Sequence, residues 1–355
     1  MPRVLFVLPS FEIGGSQRVL LTLLRALDRQ RFDPELVVFE AEGGLRHMVP
    51  PDVPMHDLKQ PRLRNALRAL SQTLRARQPD TIFSTLGYVN LAVAAMRPFL
   101  RRRARLVIRE SNVPSRALPA LRNAGALRLG YRLLYPRVDT IICQSRAIED
   151  ELVHDFGVAR ERTAQMRNPV DVATIRDAAQ RTERAAGRGQ RFIAVGHLIR
   201  QKGYDQLLDS FAQLPRHAHL VLCGDGAERG ALQQQAQRLG LTDRVRFTGF
   251  VGNPWTAVAG ADAFLMPSRW EGMPNAALEA LACGTPVIAT PDAGGLTEVA
   301  AAAPAGAVAL ASPGTAFLAA MKSVQPRIDT RLRDSMLPDE FRLERVSARF
   351  QELLS

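Results

Sequence analysis

Short runs of apolar and β-branched residues alternate with helical patterns along the whole chain, and this alternation is the feature that most limits its fold. Strands that alternate with helices are typical of parallel sheets covered by helices. The strands are predicted near residues 4–8, 36–39, 81–85, 106–110 and 140–143, and then near 192–195, 220–223, 245–247, 263–266 and 287–289. The helices are predicted near residues 17–28, 63–77, 89–99 and 147–155, and then near 204–213, 227–239, 255–259 and 275–283. We therefore expect an α/β fold made of two successive doubly wound units.

The length of 355 residues also favours two domains, because single hydrophobic cores seldom grow beyond about 250 residues. We expect the first domain at residues 1–167 and the second at 168–335. Residues 336–355 are predicted to contain a C-terminal helix that could pack on either domain, including the first. The polar segment 177–190, rich in arginine and alanine, is the natural linker region.

The cysteines and the uncharged segments exclude several classes of protein. The three cysteines form neither a Cys-x-x-Cys pair nor a Cys/His cluster, which excludes a disulfide scaffold and a structural zinc module. The uncharged segment 299–321 is interrupted by proline and glycine, which favours a strand, a turn and a helix over a membrane span. The chain begins directly with a predicted strand and shows no signal-peptide pattern. We therefore expect a reducing, cytoplasmic setting.

Positive charge is concentrated in the first half of the chain. Residues 1–167 contain 27 basic and 16 acidic side chains, whereas residues 168–355 contain 20 and 19. Sixteen arginines and only two acids lie between residues 60 and 137, with a peak at Arg97, Arg101, Arg102, Arg103 and Arg105. Such a patch attracts phosphate in nucleic acid, in anionic lipid headgroups or in a diphosphate-linked acceptor. The alternative is a compositional bias, since 44 of the 47 basic residues are arginine.

The pattern around these arginines argues against two uses of the patch. Aromatic residues are only 6% of the chain, and no helix-turn-helix, RRM or zinc-finger pattern occurs, so a nucleic-acid partner is not expected. The segment 116–135 is not a clean amphipathic helix, because Arg122 falls on its apolar face and Pro119 and Gly125 interrupt it. The pattern alone therefore predicts no membrane anchor there.

The segment 267–286 carries the most chemical information. It follows a predicted strand, exposes Glu271 and Gly272 in a loop, and then begins a helix for which Pro274 suits the first position. Backbone N–H groups near residues 272–276 and the helix dipole favour an anion such as phosphate at that end. Glu271 and Glu279 beside an anion site suit the hydroxyls of a sugar and a ribose. The alternative is that Glu279 is an ordinary solvent-facing helix residue, since most glutamates are exposed.

The sequence Glu-Gly-Met-Pro-Asn-Ala-Ala-Leu-Glu-Ala-Leu-Ala-Cys-Gly-Thr-Pro-Val-Ile at residues 271–288 closely resembles the signature of glycosyltransferase family 4, the retaining GT-B sugar-nucleotide transferases. The resemblance extends over nearly the whole chain. Further motifs follow in the expected order at residues 14–18, 168–171, 195–203, 224–226, 248–250 and 294–295. The resemblance implies two Rossmann-like domains that face each other across a cleft, the first on the acceptor side and the second binding the nucleotide sugar.

The family pattern also implies roles for individual residues of the second domain. Glu271 matches the residue that binds donor-sugar hydroxyls, Glu279 the one that binds the ribose, and Lys202 the lysine that holds the donor diphosphate. Charge accumulates on the diphosphate as the glycosidic bond breaks, so a fixed cation there stabilises the transition state. His197 stands where the family usually has arginine. The second diphosphate contact is therefore open between His197 and Arg200.

In the first domain, the sequence Arg-Glu-Ser-Asn at residues 109–112 follows a strand and resembles a variant found in some family members. The resemblance allows Arg109 to reach the diphosphate and Glu110 an acceptor hydroxyl, although Glu110 could instead pair with the surrounding arginines. Gln17 stands where glutamate is common in the family. The expected catalytic residues are Glu271, Lys202, Arg200, Arg109 and Glu110. The expected donor-binding residues are Gly15, Ser16, His197, Gly224, Phe250, Gly272, Met273, Asn275, Ala276 and Glu279.

The resemblance implies a retaining, metal-independent transferase that needs no cofactor, since the chain lacks an Asp-x-Asp motif for a divalent cation. The donor is a nucleoside-diphosphate sugar, with a UDP-sugar favoured and GDP-mannose as the alternative. The acceptor is a glycan or a polyprenyl-diphosphate-linked precursor of a surface polysaccharide such as lipopolysaccharide. An anionic membrane surface, the inner face of the plasma membrane, is a candidate partner. The competing interpretation is a catalytically inactive relative that binds a glycan or a protein.

Overall fold

A computed structural model of the chain describes residues 1–100, 104–120, 123–180, 189–328 and 331–355. These residues form two compact units. Unit 1 comprises Met1–Pro169 and Leu343–Ser355, and unit 2 comprises Val170–Arg342. Arg101, Arg102, Arg103 and Arg122, on which part of the charge argument depends, lie outside the described residues.

Unit 1 is built on a seven-stranded sheet in which each adjacent pair of strands is parallel. The strands are β1 (Arg3–Leu8), β2 (Asp33–Val38), β3 (Met55–Asp57), β4 (Thr81–Thr85), β5 (Arg105–Glu110), β6 (Thr140–Cys143) and β7 (Thr163–Gln165). Their order is β3-β2-β1-β4-β5-β6-β7. The five strands predicted for this half are confirmed. The two that the sequence did not reveal, β3 and β7, are three-residue edge strands without a buried apolar run.

Helices cover the sheet of unit 1. They are α1 (Gly15–Ala26), α2 (Leu63–Arg77), α3 (Gly87–Ala95), α4 (Pro114–Ala117), α5 (Ala124–Leu134) and α6 (Arg146–Phe156). Residues on alternate sides of β1 enter two different hydrophobic clusters, Leu5 and Val7 on one side and Val4 and Phe6 on the other. A strand buried on both sides explains why the sequence of β1 is continuously apolar rather than alternating.

The interruption predicted in the segment 116–135 is only partly correct. A short helix, α4, and a 3₁₀ turn at Leu118–Ala120 precede α5, so Pro119 does lie at a break. However, α5 runs through Gly125 and buries Tyr131, while Leu129 and Leu133 are 56% and 53% exposed. Burial of the Tyr131 side of the helix against unit 1 offsets the low helix propensity of glycine.

Unit 2 contains a second parallel sheet, of six strands. The strands are β8 (Arg191–Val195), β9 (His219–Cys223), β10 (Val245–Gly249), β11 (Ala263–Met266), β12 (Val287–Ala289) and β13 (Val308–Leu310). Their order is β10-β9-β8-β11-β12-β13, and each adjacent pair is parallel. This order is that of a Rossmann sheet, in which the direction of winding reverses between the first and fourth strands, here β8 and β11. The expected doubly wound α/β fold is therefore confirmed for both units.

The helices of unit 2 are α7 (Val172–Gln180), α8 (Tyr204–Phe211), α9 (Arg229–Arg238), α10 (Trp255–Gly260), α11 (Asn275–Ala282), α12 (Leu296–Ala302) and α13 (Thr315–Ser323). The uncharged segment 299–321 forms the end of α12, strand β13 and most of α13, as predicted. No helix among the described residues has both the length and the apolar character needed to cross a membrane.

The predicted linker at residues 177–190 is wrong at its beginning. Residues 177–180 belong to α7, where Ala178 and Ala179 are buried. These small side chains allow α7 to pack closely against α10 and α11, so this part of the segment belongs to unit 2. Residues 181–188 lie outside the described part of the chain.

The last helix, α14 (Leu343–Leu354), belongs to unit 1. The Phe350 ring packs on Phe83, with ring centroids 4.8 Å apart, and on Phe6 at 6.1 Å. The backbone N–H of Asp28 donates to Gln351 Oε1 at 3.2 Å. These contacts attach α14 to α1 and to the centre of the first sheet.

Candidate active site

The carboxyl ends of five strands bring the predicted donor-binding segments of unit 2 to one edge of its sheet. The segments follow β8, β9, β10, β11 and β12, and backbone hydrogen bonds join each of them to a neighbouring segment. Gly196 N donates to Cys223 O at 2.9 Å, and Gly224 N donates to Gly249 O at 2.8 Å. In doubly wound sheets, ligands bind at this edge, at the point where the winding reverses. That point lies between β8, which precedes Lys202, and β11, which precedes Glu271.

Two glycines are required by the close approach of these segments. Gly224 has a φ of +148°, and a Cβ atom there would lie 1.9 Å from Gly196 O. Gly294 has a φ of +59°, and a Cβ atom would lie 2.3 Å from Glu271 O. Any larger residue at either position would displace the neighbouring backbone. Gly294 therefore helps to determine where the loop bearing Glu271 lies.

Lys202 and Glu271 are in direct contact although 69 residues separate them in the sequence. Lys202 Nζ donates to Glu271 Oε1 at 2.6 Å, and the two side chains are 18% and 8% exposed. The same Oε1 atom accepts a hydrogen bond from Ser268 Oγ at 2.7 Å. The site thus holds a fixed cation beside a fixed carboxylate at the reversal point of the sheet.

The two loops that carry this pair are braced against each other. Arg269 N donates to Gln201 O at 2.8 Å, and Gln201 Nε2 donates to Trp270 O at 2.9 Å. The Arg269 guanidinium also donates to both carboxylate oxygens of Asp205, at 2.8 and 2.6 Å. Hydrogen bonding from Arg269 holds the pKa of Asp205 below its ordinary value. The positions of Lys202 and Glu271 therefore depend on a network rather than on one contact.

Helix α11 begins directly after the Glu271 loop. Pro274 precedes it in an extended conformation, and Asn275 is its first residue. The positive end of the helix dipole at this point favours a negative ligand. Glu279, one turn into α11, is partly buried and accepts a hydrogen bond from Trp255 Nε1 at 2.8 Å. Glu271, in the loop, and Glu279, in α11, therefore both lie in the segment that follows the carboxyl end of β11.

The remaining donor-binding residues predicted in unit 2 occupy the same edge with different exposure. His197 and Arg200 are exposed, and Phe250 is 53% exposed. Gly272 and Met273 are buried, whereas Gly224, Asn275 and Ala276 are partly buried. Arg200 O accepts a hydrogen bond from Arg269 Nη1 at 2.8 Å, which anchors the backbone beside the two candidate cations, His197 and Arg200.

In unit 1, Gly15 and Ser16 are the first residues of α1, after the end of β1. The winding of this sheet reverses between β1 and β4, so these residues lie at the equivalent edge of their own unit. Gln17 is buried, and its Oε1 atom would lie 2.4 Å from a Cβ atom at Gly14. The glycine at 14 therefore makes room for the Gln17 amide.

Arg109, the penultimate residue of β5, is a buried cation and only 1% exposed. Its Nη2 atom donates to Asn168 Oδ1 at 2.5 Å and its Nη1 atom to Thr85 Oγ1 at 3.3 Å, while Nε has no partner. Burial lowers the pKa of the Arg109 guanidinium, and the charge of neighbouring Glu110 opposes that effect. Asn168 belongs to one of the family-like motifs, so this contact joins two of the segments singled out in the sequence.

Glu110 is buried in a network that sequence reasoning missed. Its Oε2 atom accepts hydrogen bonds from Tyr131 at 2.9 Å and Tyr135 at 2.6 Å, and its Oε1 atom accepts from the backbone N–H groups of Ser111 and Asn112. Burial raises the pKa of Glu110, and these donors partly counteract it. The hydrogen-bond donors are thus tyrosines and backbone rather than arginines. The spacing of the two tyrosines, four residues apart at the end of α5, was the available signal.

The described residues contain no group of three or more His, Cys, Asp or Glu side chains arranged to hold a metal ion. The three cysteines are free and buried, as expected from their spacing.

Models of known protein families match both parts of the chain. Residues 13–174 match the model described as "Glycosyltransferase Family 4", and residues 176–324 match the model described as "Glycosyl transferases group 1". These two ranges contain every residue predicted for the site.

Individual relatives agree with the family models. The chain is 28% identical over 303 residues to N-acetylgalactosamine-N,N'-diacetylbacillosaminyl-diphospho-undecaprenol 4-alpha-N-acetylgalactosaminyltransferase of Campylobacter jejuni, covering 82% of this chain and 81% of that protein. A stretch of 98 residues is 39% identical to the lipopolysaccharide core biosynthesis glycosyltransferase LpsE of Rhizobium meliloti, covering 28% of each protein.

Among solved structures, HepE of Anabaena in complex with UDP-glucose superposes with a TM-score of 0.76 at 21% identity, covering 100% of this chain and 99% of that one. This likeness concerns the fold. The two family models together cover most of the chain, so the protein belongs to the family 4 glycosyltransferases, and the end-to-end match to a solved structure shows that it has the GT-B fold.

Proposed function

We propose that the protein transfers a sugar from a nucleoside-diphosphate sugar, with retention of the anomeric configuration, to a glycan or a polyprenyl-diphosphate-linked acceptor in the synthesis of a surface polysaccharide. The observation that carries the proposal is the contact between Lys202 and Glu271 at the reversal point of the unit 2 sheet. A cation for the diphosphate and a carboxylate for sugar hydroxyls are the two groups that a sugar-nucleotide donor requires at its reacting end.

In this reaction Lys202 and the start of α11 stabilise the diphosphate as the glycosidic bond breaks and negative charge accumulates on it. Both are fixed before the donor arrives, so little reorganisation is needed at the moment of reaction. Glu271 accepts hydrogen bonds from the donor sugar, and Ser268 holds the carboxylate in place at 2.7 Å. Glu279 accepts from the ribose. UDP is the favoured nucleotide, as in the HepE complex, and GDP is the alternative.

Retention follows from attack on the same face from which the diphosphate departs, with a phosphate oxygen assisting removal of the acceptor proton. Such a step requires neither a protein base nor a divalent cation. Turnover should therefore persist in excess chelator, and NMR of the product should show the anomeric configuration of the donor. Loss of turnover in chelator, or an inverted product, would refute this part of the proposal.

The acceptor side of the proposal rests on unit 1. Helix α5 exposes two leucines, Leu129 and Leu133, beside the exposed arginines Arg128 and Arg132. Apolar and basic side chains on one exposed helix face suit an anionic membrane surface that carries a lipid-linked acceptor. The name of the Campylobacter relative includes an undecaprenol-linked diphosphate, which supports the same acceptor class.

Membrane contact can be measured by flotation of the whole protein with liposomes. We expect binding to vesicles that contain anionic lipid and weaker binding to neutral vesicles. The variant with Leu129 and Leu133 replaced by serine should bind less, whereas equal absence of binding to both vesicle types would contradict a membrane-bound acceptor.

The proposed activity is tested with a panel of radiolabelled UDP, GDP and ADP sugars. Binding is followed by thermal shift, and release or transfer of the labelled sugar is followed by chromatography. We expect one nucleotide series to stabilise the protein and its sugar to be released. Nucleotide binding without sugar release from any donor would instead favour the catalytically inactive relative, an interpretation motivated by His197 and Gln17.

A further inference from the structure

Trp255 is held rigidly at the beginning of α10. Its backbone N–H donates to Asn253 Oδ1 at 3.1 Å, and its backbone oxygen accepts from Cys283 Sγ at 3.8 Å. Its ring packs against the hydrophobic cluster that includes the buried residues of α11. The backbone of Trp255 is therefore anchored and its ring packs on the cluster, so the fold directs its N–H group toward α11.

That N–H group donates to Glu279 Oε2 at 2.8 Å. The indole N–H can only donate a hydrogen bond, so its partner must be the acceptor, here the Glu279 carboxylate. A hydrogen bond to a charged acceptor is stronger than one between neutral groups. A glutamate side chain otherwise has several rotamers and loses that freedom on binding a ligand. The bond from Trp255 therefore restricts the orientation of the Glu279 carboxylate before the ligand arrives.

We infer that Trp255 is a positioning residue for ribose recognition: by fixing the Glu279 carboxylate, it makes the site select a nucleotide with ribose hydroxyls over one without them. The inference rests on the proposed role of Glu279. It adds a residue from outside every family-like motif in the sequence. Trp255 lies 24 residues from Glu279 and on a different helix, so only the fold brings the two together.

The test compares the binding of UDP with that of 2′,3′-dideoxy-UDP by calorimetry, with the guanosine pair used if the donor panel selects GDP. The dissociation constant of the dideoxy nucleotide divided by that of UDP measures how strongly the protein recognises the ribose hydroxyls. In the Trp255→Phe variant, which keeps a ring but removes the N–H group, we expect this ratio to fall about tenfold, as for the loss of a hydrogen bond to a charged group. In the Glu279→Gln variant the ratio should also fall, and adding Trp255→Phe to it should change the ratio little further.

A matched control is the Thr256→Val variant, in which the adjacent residue of α10 loses its hydrogen bond to Ala178 O. This variant should keep the wild-type ratio, which separates positioning of Glu279 from a general loss of helix stability. If Trp255→Phe does not fold, replacement of Trp255 by 3-benzothienylalanine removes the N–H group with almost no change of shape.

The outcomes separate the inference from the function on which it rests. If the wild-type protein prefers UDP but Trp255→Phe keeps the wild-type ratio, Trp255 has no positioning role and the proposed function stands. If the wild-type protein binds UDP and the dideoxy nucleotide equally, the ribose contact of the proposed function is wrong and the role of Trp255 falls with it. A lower ratio in both Trp255→Phe and Thr256→Val would also overturn the inference.

Discussion

Replacement of Lys202 by methionine should abolish most of the activity, because methionine keeps an extended side chain and removes its charge. In the structure, Lys202 Nζ lies 2.6 Å from Glu271 Oε1, and neither side chain is more than 18% exposed. A cation this well fixed resembles other preorganised groups whose removal lowers kcat by about 10²–10³-fold, or about 3–4 kcal/mol of transition-state stabilisation. We expect a loss of that size in kcat and a smaller rise in KM for the donor, since the diphosphate is most negative in the transition state.

The same change should lower the free energy of unfolding of unit 2. Glu271 is 8% exposed and would retain its charge without the lysine. Because Ser268 still donates to Glu271 Oε1, we expect a loss of about 2 kcal/mol, less than for a buried charge left with no partner. The Lys202→Met/Glu271→Gln double variant removes the uncompensated charge and should recover about 1 kcal/mol of that loss.

Two assays measure these effects separately. Initial rates with the radiolabelled donor give kcat and KM, and urea unfolding followed by tryptophan fluorescence reports unit 2, since both tryptophans, Trp255 and Trp270, lie there. Lys322, an exposed residue of α13, provides the control, and Lys322→Met should leave both quantities unchanged. Wild-type kcat in Lys202→Met would refute the role given to this cation.

Two further predictions concern a buried acid and a glycine. Glu35 is 2% exposed and accepts hydrogen bonds from Arg77 and His56. Burial raises its pKa, but these hydrogen bonds outweigh burial and hold the pKa below its ordinary value. A carboxylate with a lowered pKa stabilises the folded state above its ordinary pKa and loses that effect as the pH falls. Glu35→Gln should therefore lower the free energy of unfolding of unit 1 by about 2 kcal/mol at pH 7 and by much less at pH 3, as measured by circular dichroism. An equal difference at both pH values would contradict this. Gly294→Ala should lower kcat/KM by about 10²-fold because the Glu271 loop must move. Gly306→Ala, at a φ of +82° with no atom near the added Cβ, is its control, and equal rates for the two variants would argue against the steric explanation.

Much of the fold follows from local patterns, whereas the site depends on contacts between distant residues. All ten predicted strands exist, because buried parallel strands have continuous apolar runs that a sequence shows directly. The two missed strands, β3 and β7, have three residues each and lie at the edges of their sheet, where no such run is required.

Within the site, the sequence predicted Lys202, Glu271 and Glu279 through their resemblance to a family signature. It did not predict that Lys202 and Glu271 touch, since 69 residues separate them and only the strand order brings β8 beside β11. The tyrosine partners of Glu110 were missed for a related reason. Tyr131 lies in α5 and Tyr135 in the turn that follows it, and the surrounding arginines masked the pattern of buried residues there.

A crystal structure of the protein with the nucleotide sugar selected by the donor panel would test the proposed donor site directly. We expect diphosphate oxygens within hydrogen-bonding distance of Lys202 Nζ and of the first residues of α11, with the ribose on Glu279. A nucleotide bound elsewhere, for example on the arginine-rich surface of unit 1, with Lys202 and Glu271 still paired as in the free protein, would contradict it.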